Sequence, residues 1–465
     1  MEPRPQTYVA DAGALDRCAA VVAASPRVGL DTESNGFHAY FEKVCLVQLS
    51  TEQEDFAVDP LAVGLGPLAP LLSDPAREVI LHAAEFDVLT LRRDYGLRLG
   101  RIFDTHAAAK VLGIVRVGLG NLLEDQLGVK LTEDEQRSDW GKRPLSPSQI
   151  SYAFADVRYL LVLRDHLGAA LEVQGRGPEA TAEFERVRVK EPRPRVFDLE
   201  GWQRMKVART LDGKGRSVLR ALFLLRDARA RELDRPPFKV LSDLFMAEVA
   251  RRHPKTEEAL LAIPGASAQQ LRKLAPQLLA AVAEGLAAPP PAKPDAQPRR
   301  GPPWKRNGGQ DPVLEARYEA LRAWRKQRAE ARKVEVQVIA PNAVLLHIAK
   351  AEPRTRDELA RVEGMDPFRV EQYGDELVAV LAHHAARVAA PAARQADPRE
   401  SPPRAVDAGG EPQSSDDAGS ETDAGDGPSA AGADPAPPAP PSSSGREAPP
   451  APPERRPPVQ GKLFD

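Results

Sequence analysis

Five residues of this chain have the types and spacing for metal-assisted chemistry: Asp31, Glu33, Asp87, Tyr152 and Asp156. Asp31 and Glu33 close the apolar run Val28-Gly-Leu-Asp-Thr-Glu33. In an extended strand residues i and i+2 point to the same side, so the two carboxylates can share one ion. Asp87 follows the apolar run Val79-Ile-Leu-His82, where a strand is expected to pass into a helix. Tyr152 and Asp156 stand one turn apart in the helical segment Ile150 to Leu163, and so lie on one face. Four carboxylates converging on one spot repel each other unless cations lie between them, and hard divalent ions take oxygen ligands of this kind. Two such ions about 4 Å apart form a clamp that cleaves phosphodiesters.

Taken singly, each pattern has a plainer explanation. An Asp-x-Glu on a strand is commonly a solvated edge. A Tyr and an Asp one turn apart are usually a helix-surface pair, and an Asp after a strand often favours a helix N-terminus. The chemical reading rests on all of them occurring together, at apolar flanks where unpaired carboxylates are costly. His82 and His106 read as supporting residues beside apolar runs, and Gly118-Leu-Gly120 lacks the further glycine or lysine of a phosphate loop.

Together the motifs resemble the DEDDy-type 3′-5′ exonuclease family, in which three short motifs supply Asp, Glu, Asp and Asp ligands plus a tyrosine. Asp31-Thr-Glu33 matches the first motif, His82-Ala-Ala-Glu-Phe-Asp87 the second and Tyr152-Ala-Phe-Ala-Asp156 the third. Phe103-Asp-Thr105 and Gln136-Arg-Ser-Asp-Trp-Gly-Lys-Arg-Pro-Leu145 look specifically like ribonuclease D, over roughly residues 5 to 175. The resemblance implies a ribonuclease H-like sheet, 3′-to-5′ direction and mononucleotide products. It also makes Asp31, Glu33, Asp87 and Asp156 the ligands of two Mg2+ or Mn2+ ions. Tyr152, with an ordinary pKa near 10, is a poor free base at pH 7 and is expected to orient the attacking water. Trp140, Lys142 and Arg143 place two cations beside an aromatic ring and are candidate substrate contacts.

The elements that must position these residues begin as a mixed α/β domain. Expected strands are Val28 to Asp31, Val44 to Leu49, Asp55 to Val58 and Val79 to His82, with Gly36 and Lys43 bracketing a hairpin. Helices are expected at Ala84 to Tyr95, Thr105 to Leu112, Asn121 to Leu127 and Ser148 to Leu167. From about Gly201 the pattern is wholly helical, and it repeats after a period of about 100 residues. Leu222-Phe-Leu-Leu-Arg-Asp answers to Leu321-Arg-Ala-Trp-Arg-Lys, and Glu258 to Gly265 answers to Glu358 to Met365. Both repeats resemble the helicase-and-RNase-D C-terminal (HRDC) domain, although the first lacks the Tyr-Gly found at Tyr373-Gly374. The fold class is therefore an α/β ribonuclease H-like exonuclease domain (1–195), two small all-α HRDC bundles (205–288 and 312–388) joined by a Pro-rich linker (289–311), and a disordered tail (389–465).

Charge is segregated along the 465 residues, beneath a formal net charge of −3. Glu185 to Arg306 holds 26 Lys or Arg against 14 Asp or Glu, which suits a polyanionic partner because neutralised phosphates release counterions. Ala390 to Asp465 is acidic and poor in large apolar residues, a composition that cannot offset the entropy of ordering. At its end Gln460-Gly-Lys-Leu-Phe464 resembles a bacterial sliding-clamp-binding motif, with Gln460, Leu463 and Phe464 as anchors. Two cysteines, Cys18 and Cys45, exclude a disulfide scaffold and a cysteine zinc site. Neither a signal peptide nor a membrane span is found, so a cytoplasmic protein with no membrane partner is expected, and separately a monomer. The expected function is a 3′-5′ exoribonuclease acting on RNA 3′ ends, tRNA precursors among them. The alternatives are a DNA 3′ exonuclease in repair, recruited by a sliding clamp, and a nuclease-dead nucleic-acid-binding scaffold.

Overall fold

Near-continuous apolar runs build the centre of the first domain, as expected of strands covered on both faces. The computed structural model describes residues 4–131, 135–194, 196–265, 267–293 and 311–394. Its strands are β1 (Gln6–Val9), β2 (Arg27–Ser34), β3 (Val44–Ser50), β4 (Asp55–Val58), β5 (Glu78–Leu81) and β6 (Arg101–Asp104). They form one sheet in the order β1-β4-β3-β2-β5-β6. β2, β3 and β4 are an antiparallel meander, while β5 joins β2 and β6 joins β5 in parallel. Every residue of β3, β4 and β5 is buried. A register shift at Glu33/Ser34 breaks the regular β2–β3 ladder just beyond the first carboxylate pair, before the last pairing of Ser34 with Val44.

The four expected strands are present, and β1 and β6 are additional. Each is four residues long and lies at a sheet edge, too short to display a period of two and paired on one side. The helix expected over Ser148 to Leu167 is two helices, Pro147–Arg158 and Leu160–Val173, jointed at Tyr159 (φ −102°, ψ −2°). Ser146 and Gln149 form a reciprocal capping box at the start of the first. A further helix, Gly177–Arg188, packs beneath β6 and carries the buried Glu179 and Glu183.

Two helical bundles follow, each with its own core. The first is built on Gly213–Glu232, Asp243–Arg252 and Ala268–Ala287 around Trp202, Leu219, Phe245 and Leu278. The second is built on Pro312–Arg332, Asn342–Ala351 and Pro367–Arg394 around Leu321, Leu345, Ile348 and Leu359. The internal repeat is visible atom by atom. Thr256 and Thr355 each cap a short helix by accepting from the N–H three residues on. Buried Arg226 and Arg325 each donate to a carbonyl fifteen residues ahead, of Leu241 and Ala340.

Both bundles touch the exonuclease domain within one unit, residues 1–398. Arg369 and Arg332 of the second bundle pair with Glu183 and Glu179. Gly113 (φ +81°) meets the same bundle so closely that a Cβ there would lie 2.4 Å from the Lys333 carbonyl oxygen. Among the described residues no helix is long and apolar enough to cross a membrane. Cys18 and Cys45 are buried free thiols. Gln460, Leu463 and Phe464 lie outside the described residues, as do most of the Pro-rich linker and nearly all of the tail.

Candidate active site

β2 carries Asp31 and Glu33 on one pleat face, while Thr32 between them points to the other. The helix Pro147–Arg158 crosses this sheet and delivers Asp156 to the pair. The close approach of its C-terminal end and of the next helix, Leu160–Val173, depends on Gly29: a Cβ there would stand 3.2–3.3 Å from Leu161, Leu160 and the Val157 carbonyl oxygen. The result is a half-buried group in which carboxylate oxygens of Asp31, Glu33 and Asp156 all lie within 4.8 Å of one another.

Asp87 stands beside this group rather than in it. It is buried in the first turn of the helix Glu85–Tyr95 and accepts a 2.5 Å hydrogen bond from Thr32 Oγ1. That helix is aimed by Asp104, whose carboxylate accepts from the N–H groups of Ala83, Ala84, His106 and Ala107 at 2.9–3.2 Å. Ala83 adopts the left-handed conformation (φ +56°) at the corner, a geometry that the Asp104 bonds help to hold. Thr105 Oγ1 donates to the Leu81 carbonyl and lies 3.0 Å from His82 Nδ1. The Phe103-Asp-Thr105 segment thus works as a bracket between β5 and the Asp87 helix.

The electrostatics of the cluster are those of bare, crowded acids. Burial raises the Asp31 carboxyl to about 6. Burial and the like charges of Asp31, Asp156 and Asp87 push Glu33 up to about 10. Burial and Asp31 together raise Asp87 well above the ordinary range. Tyr152, hydrogen-bonded to Asp156, is likewise raised by burial and then by the three neighbouring carboxylates. Burial and His106 pull His82 down to about 4, leaving a neutral imidazole on the cleft wall. The donor set fits a divalent cation: all the ligands are hard oxygens, and oxygens on one such ion, each 2.0–2.6 Å from it, are at most about 5 Å apart. A bound cation would also remove the repulsion that raises these acids.

The carboxylates line a cleft of about 460 Å³, whose other walls include Phe37, His82, Phe86, Gln136 and Tyr152. Phe37 and Phe86 are 55% and 46% exposed there, offering ring faces to a nucleobase. Sequence reasoning passed over both. Phe86 was legible as the neighbour of Asp87, whereas nothing local marks Phe37.

The three candidate substrate contacts fall elsewhere. Trp140 is fully buried and packs against Tyr152 at 6.0 Å between ring centres, among Cys45, Leu46 and Ala153. It braces the tyrosine from the core, and no base can stack on it. Arg143 is engaged by Asp59 (2.5 and 2.8 Å) and by the carbonyls of Cys45 and Trp140 (2.7 Å each), which makes it a staple of the same loop. Lys142 is exposed and does not line the cleft.

Comparison with known proteins shows what the chain is similar to. A model of the 3′-5′ exonuclease family matches residues 6–172, and an HRDC domain model matches twice, at 216–282 and 315–381. A protein named ribonuclease D from Sphingobium indicum is 33% identical over 380 residues, 80% of this chain and 93% of that one. The crystal structure of Escherichia coli RNase D, described as an exoribonuclease involved in structured RNA processing, superposes with a TM-score of 0.57. It is 25% identical and covers 81% of this chain and 99% of that one. The catalytic core of RRP6 from Trypanosoma brucei gives a TM-score of 0.57 at 27% identity, covering 61% of this chain and 80% of that one.

Proposed function

This chain belongs to the ribonuclease D family of 3′-5′ exoribonucleases, and from that premise we propose that it trims the 3′ ends of tRNA precursors and other structured RNAs. It does so as a cytoplasmic monomer, by two-metal-ion hydrolysis that releases nucleoside 5′-monophosphates. The observation that carries the reading is the convergence of Asp31, Glu33 and Asp156 within 4.8 Å at the floor of an open cleft.

Asp31, Glu33 and Asp156 would hold one Mg2+ or Mn2+, and Asp87 would share in a second. Divalent cations bound there supply the charge that lowers the pKa of an attacking water and offsets the negative phosphate and departing 3′ oxygen. Tyr152 keeps its proton near neutral pH, because its ordinary pKa is already near 10 and burial opposes its ionisation further. It therefore acts as a fixed hydroxyl that orients the water and not as a base. Phe37 and Phe86 hold the terminal base so that the last phosphodiester meets the carboxylates, and the neutral His82 lines the wall without adding charge. Trp140 beneath the Tyr152 ring limits how far that hydroxyl can drift.

The test is a tRNA precursor carrying a 3′ trailer, beside a single-stranded DNA of matched sequence, each incubated with Mg2+, Mn2+ or EDTA. Shortening of the trailer one nucleotide at a time, arrested by EDTA and faster than on DNA, supports the proposal. Preferential degradation of the DNA, or a trailer left intact, overturns it.

A further inference from the structure

Twelve phenylalanines lie in the described residues, and the four exposed ones, Phe37, Phe41, Phe86 and Phe238, all line two adjoining concavities. Phe37 and Phe86 belong to the carboxylate cleft. Phe41 (57% exposed) and Phe238 (55% exposed) face a groove of about 370 Å³ between the exonuclease domain and the first helical bundle. The segment from Gly36 to Phe41 lines both, Phe37 facing the cleft and Gly36, Ala39, Tyr40 and Phe41 the groove. Exposed apolar residues scattered singly are ordinary on a protein surface, but four aromatic rings collected along one path are not.

The rings are held out and not merely left out. Asp234, at the end of helix Gly213–Glu232, accepts from the N–H groups of both Tyr40 and Phe41 at 3.0 Å. Tyr40 donates its hydroxyl to Asp227 at 2.8 Å, and Arg231 lies over its ring. The first bundle thereby fixes the shape of a loop in the other domain. Arg231 lines the groove opposite one acid, Asp227, and the excess of cations lies next to it: Arg235 and Lys239 bracket the Pro-Pro-Phe238 segment and face a neighbouring cavity that also holds Arg229 and Lys273. Exposed aromatic faces beside a basic cavity match a polyanion whose flat bases are unpaired, since a duplex keeps its bases stacked on each other.

We propose that Phe41 and Phe238, together with Phe37, form a stacking track that leads the unpaired 3′ segment of an RNA from the first bundle into the carboxylate cleft. The proposal rests on the exonuclease reading and adds to it a substrate requirement: efficient capture needs a single-stranded tail long enough to reach the track, and a duplex entering the groove halts trimming. Docking of the first bundle also becomes a condition for the track, because Asp227 and Asp234 hold its middle.

The test uses the full-length protein with Phe41→Ala/Phe238→Ala and with the stacking-competent Phe41→Trp/Phe238→Tyr. Substrates are a trinucleotide and a dodecanucleotide of oligoadenylate, each labelled at the 5′ end. For the alanine pair, KM on the dodecanucleotide should rise at least about tenfold, the effect of losing a single stacked base. The trinucleotide, too short to span cleft and groove, should keep its KM and kcat, and the aromatic pair should behave as wild type. An unchanged dodecanucleotide KM overturns the track, as does an equal loss on both substrates or a loss that the aromatic pair does not restore. A wild-type protein that dimerises with rising concentration while the alanine pair stays monomeric also overturns it, since a second copy is then what covers the rings. Failure of the wild-type protein to shorten either RNA would instead contradict the exonuclease reading itself.

Discussion

Asp31, Glu33 and Asp156 are costly residues to bring together, and the cost has a measurable signature. In the metal-free protein the carboxyls of Asp31 and Glu33 titrate above their ordinary values, at about 6 and about 10. The folded protein then binds protons that the unfolded chain would release, so their contribution to stability is present below about pH 4 and is lost as pH climbs through 6 towards 10. Cation binding removes that loss. The gain in Tm on adding Mn2+ should therefore be small near about pH 5 and grow towards pH 8. Asp31→Asn, with one charge fewer, should flatten the trend in EDTA and shrink the gain. A gain independent of pH contradicts the site. For turnover, Asp31→Ala or Asp156→Ala should cost at least about 10³-fold in kcat, matching the loss of several kcal/mol of charge stabilisation. Tyr152→Phe should cost less, about 10- to 100-fold, because it disturbs the position of the water and not its acidity.

At the scale of elements, the site exists because one strand, two helices and one bracket meet at close quarters. Gly29→Ala should lower stability by about 1–3 kcal/mol through overpacking, since Leu160, Leu161 and the Val157 carbonyl must all give way. It should also lower kcat more than it raises KM, as the helix bearing Tyr152 and Asp156 moves off β2; unchanged kinetics would mean that the helix has slack. Much of this was legible in the sequence, because Asp31-Thr-Glu33 and Tyr152 to Asp156 depend only on strand and helix periods, which local residues dictate. The role of Asp104 was not, since an Asp before a helix looks like any N-cap until its bonds to Ala83 and Ala84 are seen. Trp140 and Arg143 misled for a related reason. An aromatic beside cations reads the same whether it faces solvent or core, and only the partners Tyr152 and Asp59 decide. β1 and β6 escaped notice because four residues at a sheet edge carry too little pattern.

For the whole molecule, two bundles of similar build hold the exonuclease domain in different ways. The second bundle is anchored by Arg369, itself buried, against Glu183, whose carboxyl burial would raise but the Arg369 and Arg186 charges hold below its ordinary value. Arg369→Leu leaves Glu183 short of a partner and should cost on the order of 3 kcal/mol, read as a fall in Tm. An unchanged Tm would show that the two parts are not energetically joined there. The first bundle supplies basic surface beside the groove, so tightness on long RNA should fall steeply with added salt, and Arg235→Ala/Lys273→Ala should make that fall shallower by about one unit of slope per lost phosphate contact. A slope left unchanged would place the phosphates elsewhere. The central claim, that the carboxylate cluster removes nucleotides from RNA 3′ ends, is tested most directly with an RNA radiolabelled in its last internucleotide phosphate. Wild-type protein with Mg2+ or Mn2+ should release the label at once as a nucleoside 5′-monophosphate, with no release in EDTA or from Asp31→Ala; label appearing first in longer fragments, or wild-type-like release from Asp31→Ala, would contradict it.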